Sequence, residues 1–164
     1  MSTLLNTNGE KLEISPLNEN IKGKFYIVTA EWNPGITHSL RDGALSILKT
    51  AGVKDSNIIS LSVPGTVELV NVAAKAVNQE DTVAVIVIGC VIRGDTPHFD
   101  YVCMIAADGI ASLNAKGKAP VIFGVLTVDN EQQAIDRAGG SLGNKGEEAA
   151  AAAISLANLS SLFS

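Results

Sequence analysis

Charged side chains are sparse in this sequence, at 18% of the residues, and acids outnumber bases by 17 to 12. The resulting net charge of −5 argues against a nucleic-acid partner, which calls for a basic face. Cysteine is rarer still. Cys90 and Cys103 stand in apolar company, outside any CxxC pair or Cys/His ligand spacing, so a metal site is not expected. They read as buried free thiols of a reducing compartment. Long apolar runs are missing as well, the longest being about half of the ~20 residues that a membrane helix requires. The start of the sequence lacks the basic-then-apolar pattern of a secretory leader, so the expectation is a cytoplasmic protein without a membrane partner. No GxGxxG follows a strand, and GGSLGNKG at Gly139–Gly146 fails the GxxxxGK[ST] spacing, which leaves dinucleotide and P-loop folds unsupported. Internal repeats and linkers are absent too.

What is present is a good supply of core. Of 164 residues, 46% are apolar, enough for one domain with one well-filled interior. So low a charge fraction also suggests that another chain covers part of the apolar surface. Strand-like runs occur at Lys24–Ala30, Asn57–Val63, Val83–Ile88 and Pro120–Leu126. Between the first two, Ile36, Leu40, Ala44, Leu48 and Ala51 recur at helical spacing and Gly52 supplies a stop. Further helices are expected from Thr66 to about Asn78, Pro97 to Ala115, Glu131 to Ala138 and Gly146 to Phe163. The last is dense in alanine, which permits close approach to its own sheet and to a neighbouring subunit. Strands alternating with helices predict an α/β fold, a three-layer α/β/α sandwich on a four-stranded parallel sheet. Residues 1–23 read as an N-terminal arm and residues 24–164 as the domain.

The chain is organised around Gly89–Val102, GCVIRGDTPHFDYV. Gly89 is expected to turn the backbone off the third strand, and Gly94 keeps a second stretch free of side chains. Thr96 and Pro97 look like the cap and first turn of a helix carrying His98. Exposed amides at a helix N-terminus suit an anion such as phosphate, and an imidazole beside them suits proton transfer. The plain alternative for His98 is a capping or surface histidine. Trp32, the only tryptophan, would ordinarily be a core anchor, yet it falls just past a strand's carboxyl end, where open α/β sheets bind ligands. Glu68 serves either a helix dipole or a hydrogen-bonding ligand. Phe123 is core by default, and Arg137 is a solvated helix charge or a partner of Glu131 and Asp136. His38 reads as a solvated helix residue.

These stretches carry a resemblance. GCVIRGDTPHFDYV, VPGTVE at Val63–Glu68, PVIFG at Pro120–Gly124 and AIDRAGGSLGNKG at Ala134–Gly146 resemble the motifs of the lumazine synthase family, in family order, across residues 22 to 160. The resemblance implies a flavodoxin-like strand order and an arm strand (Leu12, Ile14) added to a neighbour's sheet. It implies condensation of 5-amino-6-ribitylamino-2,4-pyrimidinedione with 3,4-dihydroxy-2-butanone 4-phosphate, the penultimate step of riboflavin biosynthesis, without metal or redox cofactor. His98 would move protons. Trp32 would stack on the heteroaromatic ring beside Asn33; Thr66, Val67 and Glu68 would hold the ribityl chain and pyrimidine edge; Cys90, Val91 and Ile92 would line the pocket by backbone. Gly94, Asp95 and Thr96 would form the phosphate loop; Asp95 is a departure from the family pattern, and repulsion from a bound phosphate is expected to turn its carboxylate to solvent. Phe123, the phosphate-holding Arg137 and Lys145 would come from the adjacent subunit of a homo-oligomer, a pentamer or a 60-subunit shell of twelve pentamers. Trp32 stands where most relatives have Phe and Val67 where many carry an aromatic residue. Both fit a rival from another class, a riboflavin-binding or shell-forming protein without catalysis.

Overall fold

The computed structural model describes residues 13–163. Four strands, β1 (Lys24–Ala30), β2 (Ile58–Val63), β3 (Thr82–Ile92) and β4 (Val121–Val128), form one sheet in the order β2-β1-β3-β4, every pair parallel. This is the expected four-stranded parallel sheet in flavodoxin-like order. Parallel strands need crossovers, and the helices supply them: α1 (Pro34–Thr50), α2 (Leu69–Ala76) and α3 (His98–Ala115). After β4 come α4 (Glu131–Arg137), a small antiparallel pair β5 (Ala138–Gly140) and β6 (Gly143–Asn144), and α5 (Lys145–Ser160).

Side chains alternate across β3 and divide the core into two layers. Ala84, Ile86, Ile88 and Cys90 face a cluster built with Leu40, Ala44 and Leu48 of α1 and Ala149, Ala153 and Ile154 of α5. Val85 and Val87 face the other way, onto Leu69 and Ala73 of α2 and Ile110 and Leu113 of α3. A strand buried on both faces needs a continuous apolar run, which is why β3 lacks the polar alternation of a surface strand. The alanines of α5 let it lie close to α1. At Gly146 the approach is so tight that an added Cβ would fall 1.8 Å from the Leu40 carbonyl oxygen.

Several expected boundaries are corrected. Gly89 does not turn the chain: β3 runs through it to Ile92. The absent side chain instead makes room for α2, since a Cβ there would lie 2.9 Å from Thr66 Oγ1 and 3.2 Å from Leu69 Cδ1. Helix α2 starts at Leu69, with Thr66–Glu68 in a turn before it. The last helix begins at Lys145 because the Asn144 side chain accepts bonds from the Gly146 and Glu147 amides. The β5–β6 pair has no counterpart in the sequence reading. Leu12 of the arm expected to join a neighbour's sheet lies outside the described residues; within this chain Ile14 packs against the α1/α5 side of the core.

Candidate functional site

Three parallel strands end on one edge of the sheet, and the loops that follow them enclose a cleft of about 500 Å³. The loop after β1 contributes Trp32 and Asn33; the loop after β2 contributes Gly65 to Glu68. The end of β3 supplies Cys90 to Ile92, and the start of α3 closes the cleft with His98 and Val102. A site at the carboxyl ends of strands in an open α/β sheet is where that architecture ordinarily binds ligands.

Asn33 fixes the first loop. Its backbone is left-handed (φ 58°, ψ 55°), a conformation Asn tolerates better than most residues. Its Nδ2 donates to the Cys90 carbonyl at 3.0 Å, and its own carbonyl accepts from the Ile36 and Thr37 amides. The loop is thereby tied both to β3 and to the first turn of α1. Trp32 is held out of the core, with 73% of its surface exposed, so the core-anchor reading fails. The indole lies above Gly65, where an added Cβ would sit 3.4 Å from Trp32 Cδ1 and 2.9 Å from Glu68 Oε2. Glycine at 65 is what lets the ring and the carboxylate converge on one rim. Neighbouring Glu31 is held below the usual carboxylate range by hydrogen bonds from Ser62 and His38; the His38 Nε2 lies 3.1 Å from its Oε2. His38 is therefore paired rather than merely solvated.

The end of β3, Cys90 to Ile92, lines the cleft. Burial pushes the Cys90 thiol up to about 11, so it stays protonated and is no nucleophile near neutral pH. Thr66 is buried against Gly89, whereas Glu68 is exposed at the rim. His98 is the first residue of α3 and is exposed. The helix cap is Pro97, with no side-chain cap bond, so neither Thr96 nor His98 caps α3 as expected. Gly94, Asp95 and Thr96 form an exposed loop beside His98, with open space around Gly94.

Three expected site residues lie elsewhere in this chain. Phe123, on edge strand β4, pairs with Val87 of β3, three rungs or roughly 10 Å before the cleft, and is 38% exposed. Arg137 ends α4, half-buried, and donates one hydrogen bond to the Gln133 carbonyl of its own helix. Lys145 is 11% exposed and paired with Glu148 at 2.6 Å. Among the described residues, no lysine or arginine lines the cleft.

Gly65 and Val102 line the cleft although neither was expected there. Gly65 sits inside a quoted motif, and Val102 is four residues from His98, one helical turn along the same face, so both had a signal. Arg93 reaches Asp129, 36 residues away, and no local pattern reveals such a partner.

Fold and cleft together define a flavodoxin-like α/β protein with a small-molecule-sized cleft at the strand ends. Residues 22–161 match the family described as 6,7-dimethyl-8-ribityllumazine synthase. The chain is 53% identical over 133 residues to the 6,7-dimethyl-8-ribityllumazine synthase of Bacteroides fragilis, covering 81% of this chain and 93% of that one. With the enzyme of the same name from Phocaeicola vulgatus it shares 53% over 141 residues, 86% and 83% of the two chains. With that of Cytophaga hutchinsonii it shares 48% over 144 residues, 88% and 89%. The chain belongs to the 6,7-dimethyl-8-ribityllumazine synthase family. No helix among the described residues is long and apolar enough to cross a membrane.

Proposed function

We propose that this cleft joins 5-amino-6-ribitylamino-2,4-pyrimidinedione to 3,4-dihydroxy-2-butanone 4-phosphate, with loss of phosphate and water. The reaction needs imine formation between the ring amine and the ketone, elimination of phosphate, and closure by the ribitylamino nitrogen. Each stage moves a proton, and none calls for an electron acceptor. The observation that carries the reading is His98, exposed at the rim of the one cleft shared by Trp32, Asn33 and Glu68. Trp32 stacks on the pyrimidine; Thr66 to Glu68 and the backbone of Cys90 to Ile92 hold the ring edge and ribityl chain. His98 gives and takes protons, and much of the remaining acceleration is proximity of two bound substrates. The exposed indole offers the same stacking surface to riboflavin.

The phosphate lies against Gly94, Asp95 and Thr96, and its charge needs a cation that the cleft lining lacks among the described residues. Arg137, with Phe123 and Lys145, meets that need from a neighbouring copy, so the domain of residues 24–164 works as a homo-oligomer. A pentameric ring is the unit. The turn Gly139–Lys145 carries no insertion, which leaves twelve rings in a shell as the larger form. The test is an absorbance assay with both substrates. His98→Ala is expected to lower kcat by about tenfold to a thousandfold while the fold survives. Unchanged turnover in a folded variant overturns the assignment.

A further inference from the structure

We infer that Arg93 is a positioning residue for this reaction: its guanidinium clamps the two ends of the loop that carries His98 into the cleft. The inference rests on the reading of His98 as the proton-moving group. Arg93 is the first residue after β3, and its amide donates to the Val128 carbonyl at the end of β4 at 2.9 Å. Its side chain then turns across the loop. Nε donates to Asp129 Oδ1 at 3.0 Å, just past β4, and Nη1 donates to Asp100 Oδ1 at 3.3 Å, in the first turn of α3. The guanidinium carbon lies 4.1 Å from the centre of the Phe99 ring, which is itself 9% exposed. One planar group therefore ties the ends of β3 and β4 to the residues on the far side of His98.

Between the anchors at 93 and 99 the chain has little else to shape it. Residues 94 to 98 are exposed, Gly94 has open space around it, and no side chain caps α3. A surface ion pair alone is worth little. Here two carboxylates and an aromatic face act on one rigid fork, and their product is geometry rather than stability. Lysine has neither the fork nor the plane. Since the guanidinium already faces two carboxylates, it is poorly placed to serve as the phosphate receptor.

Kinetics of single and double variants test this. Arg93→Gln and Arg93→Lys are expected to lower kcat by about tenfold to a hundredfold, the scale of a misplacement near 1 Å. KM for the phosphate-bearing substrate should stay within about twofold. In a His98→Ala background, Arg93→Gln should remove no more than about twofold further, because the group it places is gone. Asp129→Asn, at the exposed far end of the clamp, should give a smaller loss of the same kind, non-additive with Arg93→Gln. It also keeps the test alive if Arg93→Gln fails to fold. A raised KM for the phosphate substrate with kcat intact makes Arg93 a ligand and overturns the inference. So do losses that multiply in the His98→Ala background, losses that track a falling Tm, or native kcat in both Arg93→Lys and Asp129→Asn. Full turnover in His98→Ala alone marks failure of the underlying reading instead.

Discussion

Arg137 donates a hydrogen bond to the Gln133 carbonyl of its own helix, which leaves most of the donors of its guanidinium uncommitted. If those donors grip the phosphate, Arg137→Ala should weaken the phosphate-bearing substrate by on the order of 1.5–3 kcal/mol, the value of charge-assisted hydrogen bonds. Titrating each substrate separately checks this, because pyrimidine affinity should barely move. Equal weakening of both substrates would place Arg137 at a structural contact. Residue by residue, the cleft itself was legible. Trp32, Asn33, Glu68 and His98 follow strand ends, and strand ends can be read from apolar runs. Arg137, Phe123 and Lys145 carry no such mark, since nothing in a helical or strand period says which chain's cleft a side chain will meet. The partners of Arg93 were illegible for a related reason: a contact across 36 residues belongs to the folded sheet rather than to a local pattern.

At the scale of elements, apolar runs, turn residues and periodicity located the four strands of the main sheet and the five α-helices among the described residues, but not their ends or the short 3-10 turn at Asp55–Asn57. Gly89 is the instructive case. A glycine after six apolar residues reads as a turn, yet the strand continues because Thr66 and Leu69 fill the place of its missing side chain. The β5–β6 pair escaped because two- and three-residue strands of Ala, Gly and Asn have no period to detect. Gly146 tests the same principle in the opposite direction. Its Cβ position meets the Leu40 backbone, which cannot yield without parting α1 from α5. Gly146→Ala should therefore cost about 3 kcal/mol or more, at the upper end of overpacking effects. Gly35→Ala, at a helical position with nothing within 4 Å of the added methyl, should be neutral or stabilising by up to about 1 kcal/mol. Urea denaturation of the two variants beside the native chain gives both numbers. Similar midpoints would mean that the α1–α5 contact relaxes more easily than its geometry implies.

For the whole molecule, the question is where one site ends and one chain begins. Exposed apolar residues gather on α3 (Tyr101, Met104, Ile105), with Phe123 on the neighbouring edge strand. Such a surface agrees with the low charge fraction of the sequence in asking for a cover. If a second copy supplies it along with Arg137, the two halves of a site can be inactivated in different chains. Co-refolding Trp32→Ala chains with Arg137→Ala chains should then restore part of the activity, because some sites receive both native residues. Mixed oligomers that stay inactive, with mixing verified by mass spectrometry of tagged chains, would confine the site to one chain.

A cleft lined by no lysine or arginine among the described residues, if a neighbouring copy completes it, also sets an order of events in time. If a chain diluted from denaturant builds β3, α1 and α5 by itself, that step is first order and indifferent to concentration. If the cation for its cleft comes from a neighbouring copy, as proposed, it arrives by collision with another folded chain, a second-order process. Circular dichroism should therefore recover at the same rate in dilute and concentrated samples, while turnover returns after a lag that shortens as protein is added. Such a lag would be the interval between folding of the chain and arrival of the side chain that neutralises its phosphate.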